Sequence, residues 1–309
     1  MNEPTQRFLL SICIPTYKRP QGLKACVESI ISQETFDRGD IEILIYDDAS
    51  PDNTEQVMKS HVESVPTLRY IRNEINTGSD ENIINLLKDF RGRYFFGITD
   101  DDALLPGAIK AMRRLIEEHP EVTVFESSYD EYYEKTGKII PHDIFDEACI
   151  ISKDDTDKIV RVFNEFHIYS RMFMRRDAID LPGYERHTGT RYPHLHTIGA
   201  AMLLGTSYYT RDRLVKHTLG NETFWSYHDD YMLSGMLRII RDLTKIDDRF
   251  YEPAIQSLIK SLPSTVRNAV KTGNGKIYRF VKCLLGIPDL RWRPQVWYNT
   301  GITIFRTIK

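Results

Sequence analysis

Cysteine is scarce in this chain: Cys13, Cys26, Cys149 and Cys283 are the four among 309 residues, and they lie far apart. With no C-x-x-C pair and no Cys/His ligand spacing, the sequence argues against a disulfide scaffold or a zinc finger and fits a reducing compartment. Long apolar runs are also missing; none approaches the roughly 18 residues of a membrane-spanning helix. Met1-Asn2-Glu3-Pro4 has no signal-peptide pattern, so the expected location is cytoplasmic. There is no excess of base: 41 Lys and Arg stand against 44 Asp and Glu, a net charge of −3. A global field for nucleic acid is therefore not expected. Neither G-x-G-x-x-G nor a Walker A loop follows the first apolar run, so any nucleotide is held without those glycine-rich cradles.

What is present is an ordinary globular composition, 41% hydrophobic and 28% charged, long enough for one large domain or two smaller ones. Charge is uneven along it. Residues 264–309 hold nine Lys/Arg and one acid, Asp289, a net of about +8, which leaves about −11 on the first 263. Trp292 and Trp297 lie in that basic tail.

Phe8 to Ile14 reads as a first buried strand, Ile41 to Tyr46 as a second, Leu68 to Ile71 as a third, Tyr94 to Ile98 as a fourth and Val122 to Phe125 as a fifth. Helical spacing fills the gaps, as in Leu23, Cys26, Val27, Ile30 and in Ile109, Met112, Leu115, Ile116. Strands alternating with helices predict βαβ units and a mostly parallel sheet. Further on, Arg171 to Met174 reads as a strand, Leu195 to Leu204 as a helix and Thr206 to Tyr209 as extended.

The chemistry concentrates at strand ends. Asp100, Asp101 and Asp102 directly follow the fourth strand and repel one another unless something neutralises them. Hard divalent cations take such oxygen ligands, and ligands in open α/β sheets bind outside the carboxyl ends of strands. A metal–diphosphate site is one reading; a solvated turn with Asp102 near the next helix N-terminus is the other. Thr16, Tyr17 and Arg19 end the first strand, and Asp47 and Asp48 end the second.

Ile12-Cys13-Ile14-Pro15-Thr16-Tyr17 resembles the "sIxIPTYNR" opening of family 2 glycosyltransferases with the GT-A fold. Asp47-Asp48-Ala49-Ser50-Pro51-Asp52-Asn53-Thr54 resembles their "DDxSxDxT". Asp100-Asp101-Asp102-Ala103-Leu104-Leu105-Pro106-Gly107-Ala108 resembles "DxDDxxxPGxL", with Thr99 in place of the first aspartate. Asn76, Gly78, Asp80 and Asn82, and the run Gly189-Thr190-Arg191-Tyr192-Pro193-His194, resemble the abequosyltransferase-like enzymes of O-antigen and capsule synthesis.

The resemblance implies a GT-A α/β fold, Rossmann-like, with a central sheet flanked by helices. Residues 1–263 would form that domain. Residues 8–120 would be its nucleotide-sugar half and 121–263 its acceptor half, with 264–309 a basic helical extension. It implies a base pocket formed by Asp47 or Asp48 with Pro15, Thr16 and Tyr17, and Arg19 close to the donor. Asn76, Gly78 and Asp80 would contact the donor or form a turn. Asp100 would touch the ribose or share the metal, and Asp101 and Asp102 would hold Mn²⁺ or Mg²⁺. Where relatives carry a Glu-Asp base at a helix start, this chain has Tyr192-Pro193-His194. His194 is thus one candidate base, and the pair Asp229 and Asp230 the other.

The implied reaction is metal-dependent, inverting transfer from a nucleoside-diphosphate sugar to a hydroxyl on a lipid-linked saccharide. The basic tail with its tryptophans suits an anionic membrane surface, or packing on the acidic domain. A nucleotidyltransferase would also set carboxylates beside a nucleotide, but with a glycine- and basic-rich first loop. A noncatalytic sugar-binding module has no reason to keep the aspartate triplet.

Overall fold

The protein is described here from a computed structural model, over residues 8–36, 39–165, 169–190, 192–220, 229–272, 281–282 and 284–308. The first strands are β1 (Phe8–Thr16), β2 (Ile41–Asp47), β3 (Leu68–Arg72) and β4 (Gly92–Gly97). Between them run α1 (Pro20–Ile31), α2 (Thr54–Ser64) and α3 (Ser79–Asp89). All three pairings among these strands are parallel, in the order β3-β2-β1-β4. Strands so covered are buried on both faces, and alternate side chains divide between two cores. Leu10, Ile12, Ile14, Ile43, Ile45, Tyr94 and Phe96 join Leu23, Val27 and Met58 on one side. Cys13, Leu44, Tyr46 and Phe95 join Ile84, Leu87 and Phe90 of the α3 side on the other.

Beyond β4 the sheet departs from the parallel expectation. After a two-residue strand β5 (Ala103–Leu104) comes α4 (Ala108–Glu118), whose Ile109, Met112, Leu115 and Ile116 are buried at helical spacing. Next are β6 (Val124–Tyr133), β7 (Lys138–His142), β8 (Cys149–Ile151), α5 (Thr156–Glu165) and β9 (Phe173–Arg175). β9 enters between β4 and β6 and runs antiparallel to both. The last strand, β10 (Ser207–Leu219), pairs in parallel with β6 and antiparallel with β5 and β8. The sheet is thus mixed: β3-β2-β1-β4 are all parallel, and beyond them the parallel β6–β10 pair is flanked by antiparallel strands.

Around the second half lie α6 (Leu181–Arg186), α7 (Pro193–Leu204), α8 (Asp229–Leu243) and α9 (Tyr251–Thr272). Nearer the C-terminus lie α10 (Pro288–Arg291) and α11 (Pro294–Ile308), and α11 packs on α9. The boundary expected at residue 264 falls inside α9. Leu284, Leu290 and Val296 are buried in the same core as α7 and α8, so this part of the tail is docked on the domain. Among the described residues, no helix is long and apolar enough to cross a membrane.

Candidate active site

Three strand ends meet at one edge of the sheet. The backbone amide of Asp48 donates to the Thr16 carbonyl (3.0 Å), and that of Ile98 to the Cys13 carbonyl (3.1 Å). Lys18 and Ala49 both sit at φ 57° in the loops after β1 and β2. Left-handed backbone at non-glycine residues costs on the order of 1 kcal/mol and persists only where surroundings fix it. Here the Lys18 amide is fixed by the Ser50 hydroxyl at 2.9 Å.

The three aspartates after β4 have different surroundings. Asp100 is buried and accepts from Thr16 Oγ1 (2.7 Å) and Arg19 Nη1 (3.2 Å). Burial pushes its pKa up to about 7; Arg19 opposes the rise and Asp101 adds to it. Asp101 pairs with Arg19, and its side chain is 17% exposed. Asp102 is buried, and its oxygens are engaged by Thr99 Oγ1 (3.0 Å), His217 Nδ1 (3.0 Å) and the Thr218 amide (2.8 Å). Burial alone would lower the His217 pKa, but the Asp102 hydrogen bond and charge outweigh it and raise it. Nor does Asp102 begin the next helix; α4 starts at Ala108.

These differences test the fit to a divalent cation. The repulsion expected of three adjacent carboxylates is relieved by a raised Asp100 pKa, by Arg19 and by His217. Asp101 is the carboxylate of the three that combines partial exposure with a partly exposed counter-charge, Arg19. An oxygen donor of that kind suits Mg²⁺ or Mn²⁺. Asp102, tied to β10, instead fixes where the loop sits.

Asp47 and Asp48 are buried and serve the neighbouring loops. Asp47 accepts from the Ser50 amide (2.9 Å) and the Tyr70 hydroxyl, with Arg72 Nε at 3.8 Å. Asp48 accepts from Asn73 Nδ2 (3.0 Å) and from the amides of Thr77 (2.8 Å) and Gly78 (2.8 Å). It thereby holds Asn76 and Gly78 at the sheet edge. Gly78 has φ +90°, a conformation that favours glycine. Asp80 reaches away from this edge, accepting from the Gly189 amide at 2.7 Å.

The sheet edge thus gathers Pro15, Thr16, Tyr17, Arg19, Asp47, Asp48, Asn76, Gly78, Asp100, Asp101 and Asp102. His194 lies in the first turn of α7, 4% exposed, its ring meeting Tyr169 and Tyr192 edge-to-face at 6.2 and 5.9 Å. Tyr169 in turn covers Gly97; a Cβ there would come within 2.7 Å of its ring. Ser170 Oγ accepts from the Thr99 amide at 2.8 Å. Through these two residues the start of α7 is joined to the aspartate strand. Asp229 and Asp230 open α8, while Glu222, Trp225 and His228 fall outside the described residues.

Sequence reasoning missed Gly22, His217 and Thr218. A Cβ at Gly22 would lie 2.7 Å from the Asp100 carbonyl, so glycine lets α1 press on the aspartate loop. His217 and Thr218 lie over a hundred residues from Asp102, and no local pattern marks them.

A sheet flanked by helices, with polar loops gathered at one edge of its strands, is the arrangement of a GT-A glycosyltransferase fold. The family model "Glycosyl transferase family 2" matches residues 11–181, more than half of the chain, and the chain belongs to this family. Abequosyltransferase RfbV of Salmonella typhimurium strain LT2 is 26% identical over 205 residues, 61% of this chain and 59% of that protein. A GalNAc(5)-diNAcBac-PP-undecaprenol beta-1,3-glucosyltransferase of Campylobacter jejuni is 32% identical over 104 residues, 33% of each chain. The chain therefore spans less than two thirds of either relative. Among solved structures, S. aureus TarS 1–349 in complex with UDP-GlcNAc aligns with a TM-score of 0.64 at 16% identity, over 97% of this chain and 92% of that one. The mannosyltransferase PcManGT of Pyrobaculum calidifontis, in complex with GDP-Man and Mn²⁺, aligns with a TM-score of 0.56 at 14% identity, over 99% and 88%. These two likenesses concern the fold.

Proposed function

We propose that the chain transfers a sugar from a nucleoside-diphosphate donor to an acceptor hydroxyl in a divalent-metal-dependent reaction. The observation that carries this is Asp101, a partly exposed carboxylate at the edge where three strand ends meet, paired with Arg19. Nucleotide-sugar complexes of two structures with this fold support it. Asp101 would hold Mn²⁺ or Mg²⁺, which when bound supplies Lewis-acid stabilisation of the leaving diphosphate.

The chain's own residues do the rest. Asp48 and Asp47 hold the 73–78 and 48–50 segments around the base pocket. Asp100 and Thr16 face the ribose side. Arg19 adds positive charge beside the diphosphate. Asp102, locked by His217 and Thr218, keeps Asp101 at the rim. His194 is first among the candidate bases, because Tyr169 links it to the aspartate strand. Asp229 and Asp230, opening α8, are the alternative. An acceptor deprotonated on the face opposite the diphosphate gives inversion.

The acceptor is proposed to be a lipid-linked saccharide, as the name of the Campylobacter relative indicates for that protein. Peripheral attachment to the inner face of the cytoplasmic membrane follows from the same chemistry. Trp292 is 79% and Tyr298 69% exposed on the basic tail. Tryptophan and tyrosine favour the lipid headgroup zone, and each Lys or Arg there adds on the order of 1 kcal/mol of attraction.

The test is a panel of nucleoside-diphosphate sugars assayed with Mn²⁺, with Mg²⁺ and with chelator. Metal-dependent release of nucleoside diphosphate from one donor is expected. Release equal in chelator, or from none of the donors, would overturn the proposal.

A further inference from the structure

Away from the sheet edge, two buried histidines and an aspartate converge from three helices. His187 caps the C-terminus of α6, His196 lies on α7 and Asp242 on α8. His187 Nε2 is 3.0 Å and His196 Nε2 3.1 Å from the same oxygen, Asp242 Oδ2. The three donor atoms lie within 4.8 Å of one another, and the two rings stack at 4.6 Å. His187 is 2% and His196 1% exposed.

The proton positions are informative. His187 Nε2 hydrogen-bonds Asp242, and His196 Nε2 faces the same oxygen; with its proton on that nitrogen, each neutral ring is left an acceptor at Nδ1. Both Nδ1 atoms are buried, and neither has a hydrogen-bond partner. Two orphaned acceptors in one cluster are unusual, since buried polar atoms are nearly always satisfied. A cation on Nε2 relieves this at His196. Each ring proton then moves to Nδ1, with no net proton lost, and Nδ1 becomes a donor. For His196 an acceptor stands ready: Asp180 Oδ2 is 3.7 Å from Nδ1. Gly183 makes that approach possible, since a Cβ there would lie 2.1 Å from Asp180 Oδ2 and 2.5 Å from His196 Nδ1. A carboxylate behind a metal-bound imidazole is a recurrent outer-shell arrangement.

We infer that His187, His196 and Asp242 form a second cation site, for a zinc-like divalent transition ion, separate from the aspartate edge. Imidazole nitrogen with one carboxylate oxygen suits such an ion better than Mg²⁺, which prefers all-oxygen shells. Ligands on a tetrahedral zinc ion, bonded at about 2.0–2.1 Å, lie about 3.3 Å apart, close to the two nitrogen–oxygen distances here. Burial lowers the pKa of both histidines, to about 4 for His196, which keeps them neutral and able to ligate. The charges now on Asp242 are Lys245 Nζ at 2.8 Å and Arg186 Nη2 at 3.4 Å. Both side chains are more than half exposed and can turn to water. The ion would clip α6, α7 and α8 together, and so fix the helix that begins with Pro193 and His194. This inference stands on the cluster's geometry and does not depend on the transferase reading.

The experiment titrates chelated, full-length protein with Zn²⁺ by calorimetry, comparing wild type, Asp101→Ala, His187→Gln and Asp242→Asn. Asp101→Ala is expected to keep a Zn²⁺ site and to melt at higher temperature with Zn²⁺. His187→Gln and Asp242→Asn are expected to weaken that site at least about tenfold. Nitrogen NMR of the imidazoles in Asp101→Ala protein supplies a readout independent of how the cluster variants fold. Saturating Zn²⁺ should move the ring protons of His187 and His196 from Nε2 to Nδ1. Rings that keep the Nε2–H tautomer, or Zn²⁺ binding that disappears with Asp101→Ala, would overturn the inference.

Discussion

Asp80 Oδ2 accepts a 2.7 Å hydrogen bond from the amide of Gly189, 109 residues later. Asp80 sits in the first turn of α3, behind the loop that Asp48 holds. Gly189 opens the segment leading to His194. One contact thus links the loop that Asp48 holds to the helix bearing the candidate base. Burial raises the Asp80 pKa, while the Gly189 amide opposes that rise.

Replacing Asp101 should remove transfer without unfolding the protein. The side chain is partly exposed and pairs with Arg19, so little packing is lost. Asp101→Ala is expected to lower kcat at least about 10²-fold, the scale of a lost metal contact. EDTA should inhibit wild type, and Mn²⁺ or Mg²⁺ should restore it. Activity undiminished in EDTA would remove the metal from the mechanism.

Asp48→Ala takes the acceptor from two loop amides and from Asn73. Leaving such donors unsatisfied costs about 1–3 kcal/mol. Calorimetry with the nucleoside diphosphate of the identified donor should show affinity reduced about tenfold, with Asp47→Ala additive or worse. Unchanged affinity in the double variant would move the base pocket elsewhere.

The two base candidates separate by substitution. His194→Ala should lower kcat by roughly 10²–10⁴ with donor affinity retained, the range for lost acid–base catalysis. If Asp229→Ala or Asp230→Ala behaves this way and His194→Ala does not, the base belongs to α8.

Glu126 predicts a pH dependence of stability. It is buried on β6 with Arg171 Nη1 2.9 Å from Oε1. Burial pushes its pKa up to about 8, with Arg171 opposing. From its ordinary 4.5 up to about 8, the folded chain holds a proton that the unfolded chain has released. The Glu126 contribution is therefore full below about pH 4.5 and is lost as pH rises through about 8. Melting temperatures measured across this window should fall more steeply with pH for wild type than for Glu126→Gln. Parallel profiles would show that another group governs the slope.

The tail should bind anionic vesicles. Full-length protein is expected to sediment with anionic liposomes at low salt and to be released at high salt. Trp292→Ser with Tyr298→Ser should weaken sedimentation several-fold and leave donor hydrolysis intact. Truncation at Pro263 is a poorer test, because it cuts α9. No sedimentation of wild type at low salt would assign the tail to packing.

The parallel half of the fold was legible because its strands are unbroken apolar runs and its helices show 3.6-residue spacing. Strand β9 was placed within a residue or two, but its antiparallel insertion between β4 and β6 depends on partners that no local pattern encodes. β10 was read as four extended residues; its length comes from pairing with β6, since Arg213 to Leu219 alternate too little to signal a strand alone. At the site, the aspartates stood out as charge beside apolar runs. Their division of labour did not: whether an aspartate is open like Asp101 or locked like Asp102 depends on Arg19 and on His217. The cluster of His187, His196 and Asp242 was invisible for the same reason, its members being joined only by helix packing.

The bond from the Thr218 amide to Asp102 spans 116 residues of chain. A chain made from its N-terminus exposes Asp100, Asp101 and Asp102 long before Thr218 exists. Until β10 is synthesised and paired with β6, nothing on that side holds Asp102, and contacts this distant form slowly. The parallel strands can assemble first, but the aspartate loop takes its final shape among the last events of folding. Nascent chains stalled before Ser207 should accordingly bind nucleotide more weakly than the full chain and gain little from added Mn²⁺, however well β1 to β4 have formed.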